Sequence, residues 1–354
     1  MATRESDVRL KQIYDSGGRT YSISKLNTIN QCQYQAYLNY IEKKQGTNNC
    51  WAILGGRIHD CIESCIINGD DESIIMNAIQ EELENLEMLG LEFPKDRNGN
   101  DSIRNNWITN MTMFAKHFKT PKGTFETEQL ALFPLRDGIW MMGYIDAVRH
   151  NEDGTVWLID WKTSSQFTKE HLLEAGRQLI VYKKALELQG LTVKRASWCM
   201  LKYCVTYWKL KNGKTKEKIS EWRNMISDIK NPIEKALIEA GYGEIDIECF
   251  LNEAIENNSF DPLPEEVRNK FGVKIYVRDY EITPELEEEC MNYLNKSINL
   301  YETLGDEEEW KPCDIEKQSF FCSSLCSFSK HCKHYRDYLD KRDAFQKDDD
   351  MDLF

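Results

Sequence analysis

Apolar residues recur along this chain at two spacings, and the change from one to the other marks where helices give way to strands. Over residues 24–44 the apolar positions, Leu26, Ile29 and Tyr37 among them, predict a first helix with Ser24 as its cap. A second is predicted over 54–68, stopped by Gly69, with His59 inside it and Glu63 one turn on. Residues 71–89 and 102–117 predict two more, a helical cap ahead of the strands. The spacing then shortens to two. Residues 124–133 predict a strand, Arg136-Asp137-Gly138 a turn, 139–148 a second strand, Asn151-Glu152-Asp153-Gly154 another turn, and 156–162 a third strand. A helix over 168–188, stopped by Gly190, and a strand over 196–208 follow. Residues 211–272 are charged and read as a helix-rich insertion, with Asn231-Pro232 suiting the first turn of a helix. A late strand over 275–282 precedes a long helix that Thr283-Pro284-Glu285 opens and that runs to about Leu304. The pattern predicts an α+β fold, a central mixed sheet flanked by helices. It divides into an N-terminal helical region (1–120), a core (121–210), a helical insertion (211–273), a cysteine-bearing segment (274–340) and an acidic tail (341–354).

The strands end on chemistry. Gly143-Tyr144-Ile145-Asp146 brings one carboxylate to the end of an apolar run, and Ile159-Asp160-Trp161-Lys162 brings a second with a lysine. A strand's period of two sets Asp160 and Lys162 on one face and Trp161 on the other. Paired carboxylates hold Mg²⁺ or Mn²⁺, and a lysine beside them can orient or deprotonate an attacking water and offset phosphate charge. Such a set hydrolyses phosphodiesters. Gln178 and Tyr182 stand four residues apart on the next helix, hence on one face of it, and Gly55-Gly56-Arg57-Ile58-His59 opens a helix that supplies a histidine.

In this order G-x-x-x-H, G-x-x-D, D-x-K-T and Q-x-x-x-Y resemble the PD-(D/E)xK nuclease superfamily, specifically its RecB-type branch. The resemblance implies a restriction-endonuclease-like core. It implies that His59, Asp146, Asp160 and the carbonyl of Trp161 coordinate one or two divalent ions, with the imidazole favouring Mn²⁺ over Mg²⁺. Lys162 then activates the water, and Gln178 and Tyr182 hold Lys162 and the DNA backbone. Glu126 or Glu128 adds an outer carboxylate, and alternation does not choose between them.

Twelve cysteines carry a second signal. Cys322, Cys326 and Cys332 form a C-x3-C-x5-C run that lacks a fourth ligand, and Cys32 lies far upstream behind Ser24 and Leu26. Ser24, Leu26 and Cys32, with Phe328 in the run, resemble the iron–sulfur subgroup of RecB-type nucleases, such as AddB and the nucleases of CRISPR adaptation modules. That resemblance implies a [4Fe-4S] cluster tying the two ends of the chain together. The run departs from it in having C-x3-C where C-x2-C is common. Zinc also takes thiolate tetrahedra, and Cys313 is the alternative fourth ligand. Cys50, Cys61, Cys65, Cys199, Cys204, Cys249 and Cys290 sit in apolar periodic segments and read as buried thiols, and His331 and His334 as surface residues.

A net charge of -14 does not invite a polyanion. Local field is a separate matter: Lys162, Arg177, Lys183, Lys184 and Lys202 predict a basic cleft, while glutamate-rich helices set the total. A lysine cluster at 209, 211, 214, 216 and 218 lies just beyond, and its Gly213-Lys214-Thr215 is no P-loop, because the motif's first glycine would fall at Trp208. The chain has no motor motif. No stretch approaches the roughly 20 apolar residues of a membrane span, and the polar start has no secretory core, so a cytoplasmic location is expected. The expected activity is a metal-dependent DNA exonuclease on single strands or ends, in recombination, repair or phage DNA processing. The alternatives are a catalytically reduced DNA-binding or scaffold subunit, or a structure-specific endonuclease with structural zinc. The tail, with Asp348, Asp349, Asp350 and Asp352 before Phe354, reads either as a solvated end or as a docking peptide. In the second reading it resembles the tails of single-stranded DNA-binding proteins, which seat on replication or recombination partners.

Overall fold

The computed structural model describes residues 7–351, side chains of Glu170 and from Phe345 onward excepted. Its seven strands are β1 (Arg19–Tyr21), β2 (Thr124–Arg136), β3 (Ile139–His150), β4 (Thr155–Lys162), β5 (Thr192–Lys209), β6 (Thr215–Glu221) and β7 (Phe271–Asp279). They form one mixed sheet ordered β1-β3-β4-β5-β6, with β2 on the other edge of β3 and β7 on the other edge of β5. Two edges are shared. β3 pairs with β1 over Ile139 to Met141 and with β4 only from Ala147 onward. Likewise β5 is parallel to β4 up to Met200, and from Tyr203 the same edge is taken by antiparallel β6. The gaps between partners are where the candidate site lies.

Alternation along β4 decides which helices cover each face. Ile159 and Trp161 pack with α4 (Cys50–Ile67), α5 (Ser73–Met88) and α6 (Ser102–His117), and the same core takes in α8 (Lys230–Ala240) and α9 (Glu244–Asn257). Val156 and Leu158 face the opposite core, built from α2 (Ile23–Gln31), α7 (Lys169–Leu188) and α11 (Pro284–Thr303). Helices on both faces of a mixed sheet make this the α+β, restriction-endonuclease-like arrangement that the pattern predicts. Among the described residues no helix is long and apolar enough to cross a membrane.

Three predicted elements differ. The first helix is capped by Ser22, whose Oγ accepts from Lys25 N at 3.1 Å, and it breaks at Cys32. There the backbone turns extended (φ -158°, ψ 107°), and the Cys32 sulfur accepts from Gln35 N at 3.4 Å to start the short α3 (Gln33–Ala36). The His59 helix begins at Cys50 under an Asn49 cap, so Gly55 and Gly56 lie within it instead of opening it. Gly55 is needed there for close approach: a Cβ would sit 3.1 Å from Thr163 Oγ1, just past the end of β4. The charged stretch after Lys211 starts with strand β6 before its helices, because the sheet edge left open by β4 accepts another strand.

Candidate active site

β3 and β4 pair as far as Ala147 and Ile159 and then part, which leaves Asp146 and Asp160 facing one another across unpaired backbone. The freed N–H of Trp161 is taken by Asp146, whose Oδ2 accepts it at 2.7 Å. Asp160 is 1% exposed. Its Oδ2 lies 2.6 Å from Lys162 Nζ, and that ion pair is its one partner among the described residues. Lys162 Nζ donates to Gln178 Oε1 at 3.3 Å, and Gln178 Nε2 donates to Tyr182 Oη at 2.9 Å. Thus α7 locks the lysine from one side. From the other, α4 brings His59 Nδ1 to 3.6 Å from Asp146 Oδ2. Glu63, one turn along α4, accepts from Thr127 Oγ1 of β2 at 3.0 Å and fixes that helix against the sheet.

Electrostatics follow from crowding two carboxylates in a buried place. Burial, and then the neighbouring Asp160, push Asp146 up to about 7. Burial lowers His59 and keeps its imidazole neutral, as a metal ligand must be. Burial also pulls on Lys162, but Asp160 and Asp146 outweigh it and hold the ammonium charged. Tyr182 is raised by burial and then by Asp160. In donor type the set suits a hard divalent cation: a buried carboxylate partnered only by Lys162 among the described residues, a second carboxylate destabilised by the first, and a neutral imidazole beside them. Among the described residues, no group of three or more His, Cys, Asp or Glu is arranged so that it could hold a metal ion, here or at the cysteines.

The choice between Glu126 and Glu128 was not legible from alternation. Glu126 is spent at the strand end, 2.8 Å from His150 Nε2. Glu128 stands where β2 passes Asp146, in a break of the β2–β3 pairing, with φ of +48°. Its charge raises Asp146, His59 and Tyr182 alike, which puts it at the site. A non-glycine residue in the left-handed region is uncommon and no spacing rule announces it. Gly143, read from sequence only as the glycine of G-x-x-D, makes room for a partner: a Cβ there would lie 2.6 Å from the Tyr182 ring.

The basic border predicted for the cleft is largely neutralised. Arg177 pairs with Glu289 at 2.6 Å, Lys183 with Glu187 and Glu287, Lys184 with Glu287 at 2.7 Å, and Lys202 with Glu221 at 3.3 Å.

Five of the cysteines converge in a separate small core. Cys32, Cys322, Cys326 and Cys332 line one small apolar cavity, walled by Leu38, Phe321 and Phe328, and Cys313 lines it too. Cys313 N donates to Cys32 Sγ at 3.4 Å, and Cys313 Sγ is 3.6 Å from Cys322 Sγ. Burial pushes the Cys326 thiol up to about 12. Five cysteines lining one apolar cavity match, in donor type, a soft, thiolate-bound centre. Cys249 departs from expectation: it is exposed on α9, whose Ile247, Leu251 and Ala254 face the core instead. His334 is not a free surface residue, for its ring packs edge-on against Tyr34 with centroids 4.5 Å apart.

A mixed sheet whose two central strands part around buried carboxylates, with a lysine held between them, defines a metal-dependent nuclease. The chain belongs to the PD-(D/E)XK nuclease superfamily, whose sequence model matches residues 20–333. That span reaches from β1 to beyond the last cysteine, and members of the superfamily use Mg²⁺ or Mn²⁺. No curated protein matches the chain.

Proposed function

We propose that this nuclease is a RecB-type DNA exonuclease acting on single strands or ends, in recombination, repair or phage DNA processing. The observation that carries the reading is the buried Asp160 opposite Asp146, with Lys162 ion-paired to it and bonded to Gln178. His59, Asp146, Asp160 and the Trp161 carbonyl hold the divalent ion. When bound, it lowers the pKa of a water and neutralises charge on the phosphate. Lys162, held as an ammonium, orients that water and offsets charge on the phosphate, Gln178 fixes Lys162, and Tyr182 fixes Gln178 and meets the DNA backbone. Glu128 supplies the outer carboxylate.

Cys32, Cys322, Cys326 and Cys332 hold a [4Fe-4S] cluster in this reading, supported by the apolar cavity that all four line together with Cys313. The acidic tail from Asp348 to Phe354 serves as a docking peptide for a replication or recombination partner, by the same charge and aromatic chemistry read from its sequence. Its side chains, and Asp352, Leu353 and Phe354 altogether, lie outside the described residues.

The test is direct. Asp160→Asn and Lys162→Ala should each lower Mn²⁺- or Mg²⁺-dependent degradation of DNA at least 1000-fold, roughly the loss of about 4 kcal/mol of barrier stabilisation, with circular dichroism and DNA binding unchanged. A folded double variant that degrades DNA at the native rate sinks the assignment.

A further inference from the structure

If the cations beside the carboxylates are spent on glutamates, the charge that receives a nucleic-acid backbone must lie elsewhere. β5 does not stop at Met200, where it is level with Lys162, but runs on to Lys209 with β6 on one edge and β7 on the other. The stretch paired with β6 from Cys204 to Lys209 adds about 17 Å at the rise of a strand. Its root adjoins the candidate active site: Lys202 Nζ donates to Ser165 Oγ at 3.3 Å and Gln166 N donates to Tyr203 Oη at 3.3 Å, both in the loop that follows Lys162. Every residue from Lys211 to Ile219 is exposed, so both faces of β6 lie open over most of its length. A strand without a covered face gains little from burial, and its composition is free to serve something else.

That composition is lysine. Among the described residues Lys209, Lys214, Lys216, Lys218 and the adjoining Lys235 and Lys270 have no carboxylate within ion-pair distance, whereas Lys211 is paired with Glu239 at 3.5 Å and Lys274 with Glu217 at 2.8 Å. Pairing of Trp208 with Lys216 and of Thr206 with Lys218 sets those two ammoniums on one face, and Lys209, Lys235 and Lys270 line a groove with Trp208, Phe271 and the Lys211–Glu239 pair. In a chain of charge -14 this is a concentrated positive surface, carried on an arm whose root adjoins the loop after Lys162.

We propose that the arm formed by β5 and β6 binds the phosphate backbone of the DNA strand being cut, holding it outside the Asp146–Asp160 site. The inference rests on the nuclease reading for its substrate, but binding and cleavage test the two separately. Full-length protein carrying Asp160→Asn, with and without Lys209, Lys214, Lys216 and Lys218 all changed to Gln, is titrated against a labelled 30-nucleotide single strand at several salt concentrations. The four substitutions should weaken binding at least tenfold at 0.1 M salt. They should also flatten the slope of log affinity against log salt by about 0.7 for each phosphate that is no longer neutralised. The corresponding four arginine changes should restore both. In the otherwise native enzyme the glutamine variant should cut the long strand slowly yet hydrolyse thymidine 5′-p-nitrophenyl phosphate at the native rate. Unchanged affinity and slope in the glutamine variant overturn the arm's role whatever the enzyme cuts. Arm-dependent binding by a protein that cuts neither substrate supports the arm and sinks the nuclease reading instead.

Discussion

Asp146 shows how the site works against the fold. Its pKa of about 7 against 3.8 for the free side chain means that folding favours the protonated form. Below about pH 4 the group is neutral whether folded or not and has no effect. As pH rises towards 7 the unfolded chain ionises it while the folded chain resists, so stability falls over that window and stays low above it. Without divalent metal, Asp146→Asn should therefore raise the melting temperature at pH 8 by a few degrees and leave it unchanged at pH 4. Added Mn²⁺ should raise the melting temperature of the native protein and not of the variant, and equal effects at both pH values would refute the account. The same scale separates the two glutamates of β2. Glu128→Gln should lower nuclease activity at least tenfold and Glu126→Gln hardly at all, a comparison that steady-state rates decide. The carboxylates and the lysine were legible because spacing alone brings them together; Glu128 was not, because its place depends on one left-handed backbone angle.

Among the elements, those with their own strong signals were legible and those shaped by a neighbour were not. Helix α7 and its Thr168 cap, and β3 and β4, follow from periodicity and turn residues. The break at Cys32 has no such signal: a cysteine in an apolar helix looks continuous until its sulfur caps the next turn. β6 is polar on both faces and reads as loop or helix, and only pairing with the overrun of β5 makes it a strand. The contact of α7 with β3 is equally a matter of partners. Gly143 lets the Tyr182 ring lie against the strand next to Asp146, in space that a Cβ would occupy. Gly143→Ala should destabilise the protein by about 1–3 kcal/mol, the usual cost of overpacking. It should also loosen the hydrogen bond from Gln178 to Tyr182 and lower kcat more than it changes KM. A variant with native melting temperature and kcat would mean that Tyr182 is not seated by this contact.

Over the whole molecule the two ends of the chain close on each other. Cys32 and Cys313 meet although 281 residues separate them, and Tyr34 N donates to Lys311 O at 3.0 Å in the same small core as Ile29, Leu38, Trp310 and Phe328. That core is modest, so the cluster proposed above would change the balance. Cross-linking a loop of this length removes unfolded-state entropy worth about 5–6 kcal/mol in the chain-entropy model. Losing a ligand from the N-terminal side opens the loop; losing one from within the C-terminal run leaves Cys32 to hold it. Cys32→Ala should therefore bleach the brown colour of anaerobically purified protein and lower the melting temperature by roughly ten degrees. Cys313→Ala, although its sulfur touches Cys322, should keep about four irons per chain, the content of one cluster. Full iron in Cys32→Ala together with loss in Cys313→Ala would move the fourth ligand to Cys313, and with it the tie between the ends. Zinc in place of iron on metal analysis of the native protein would leave the tie and remove the cluster.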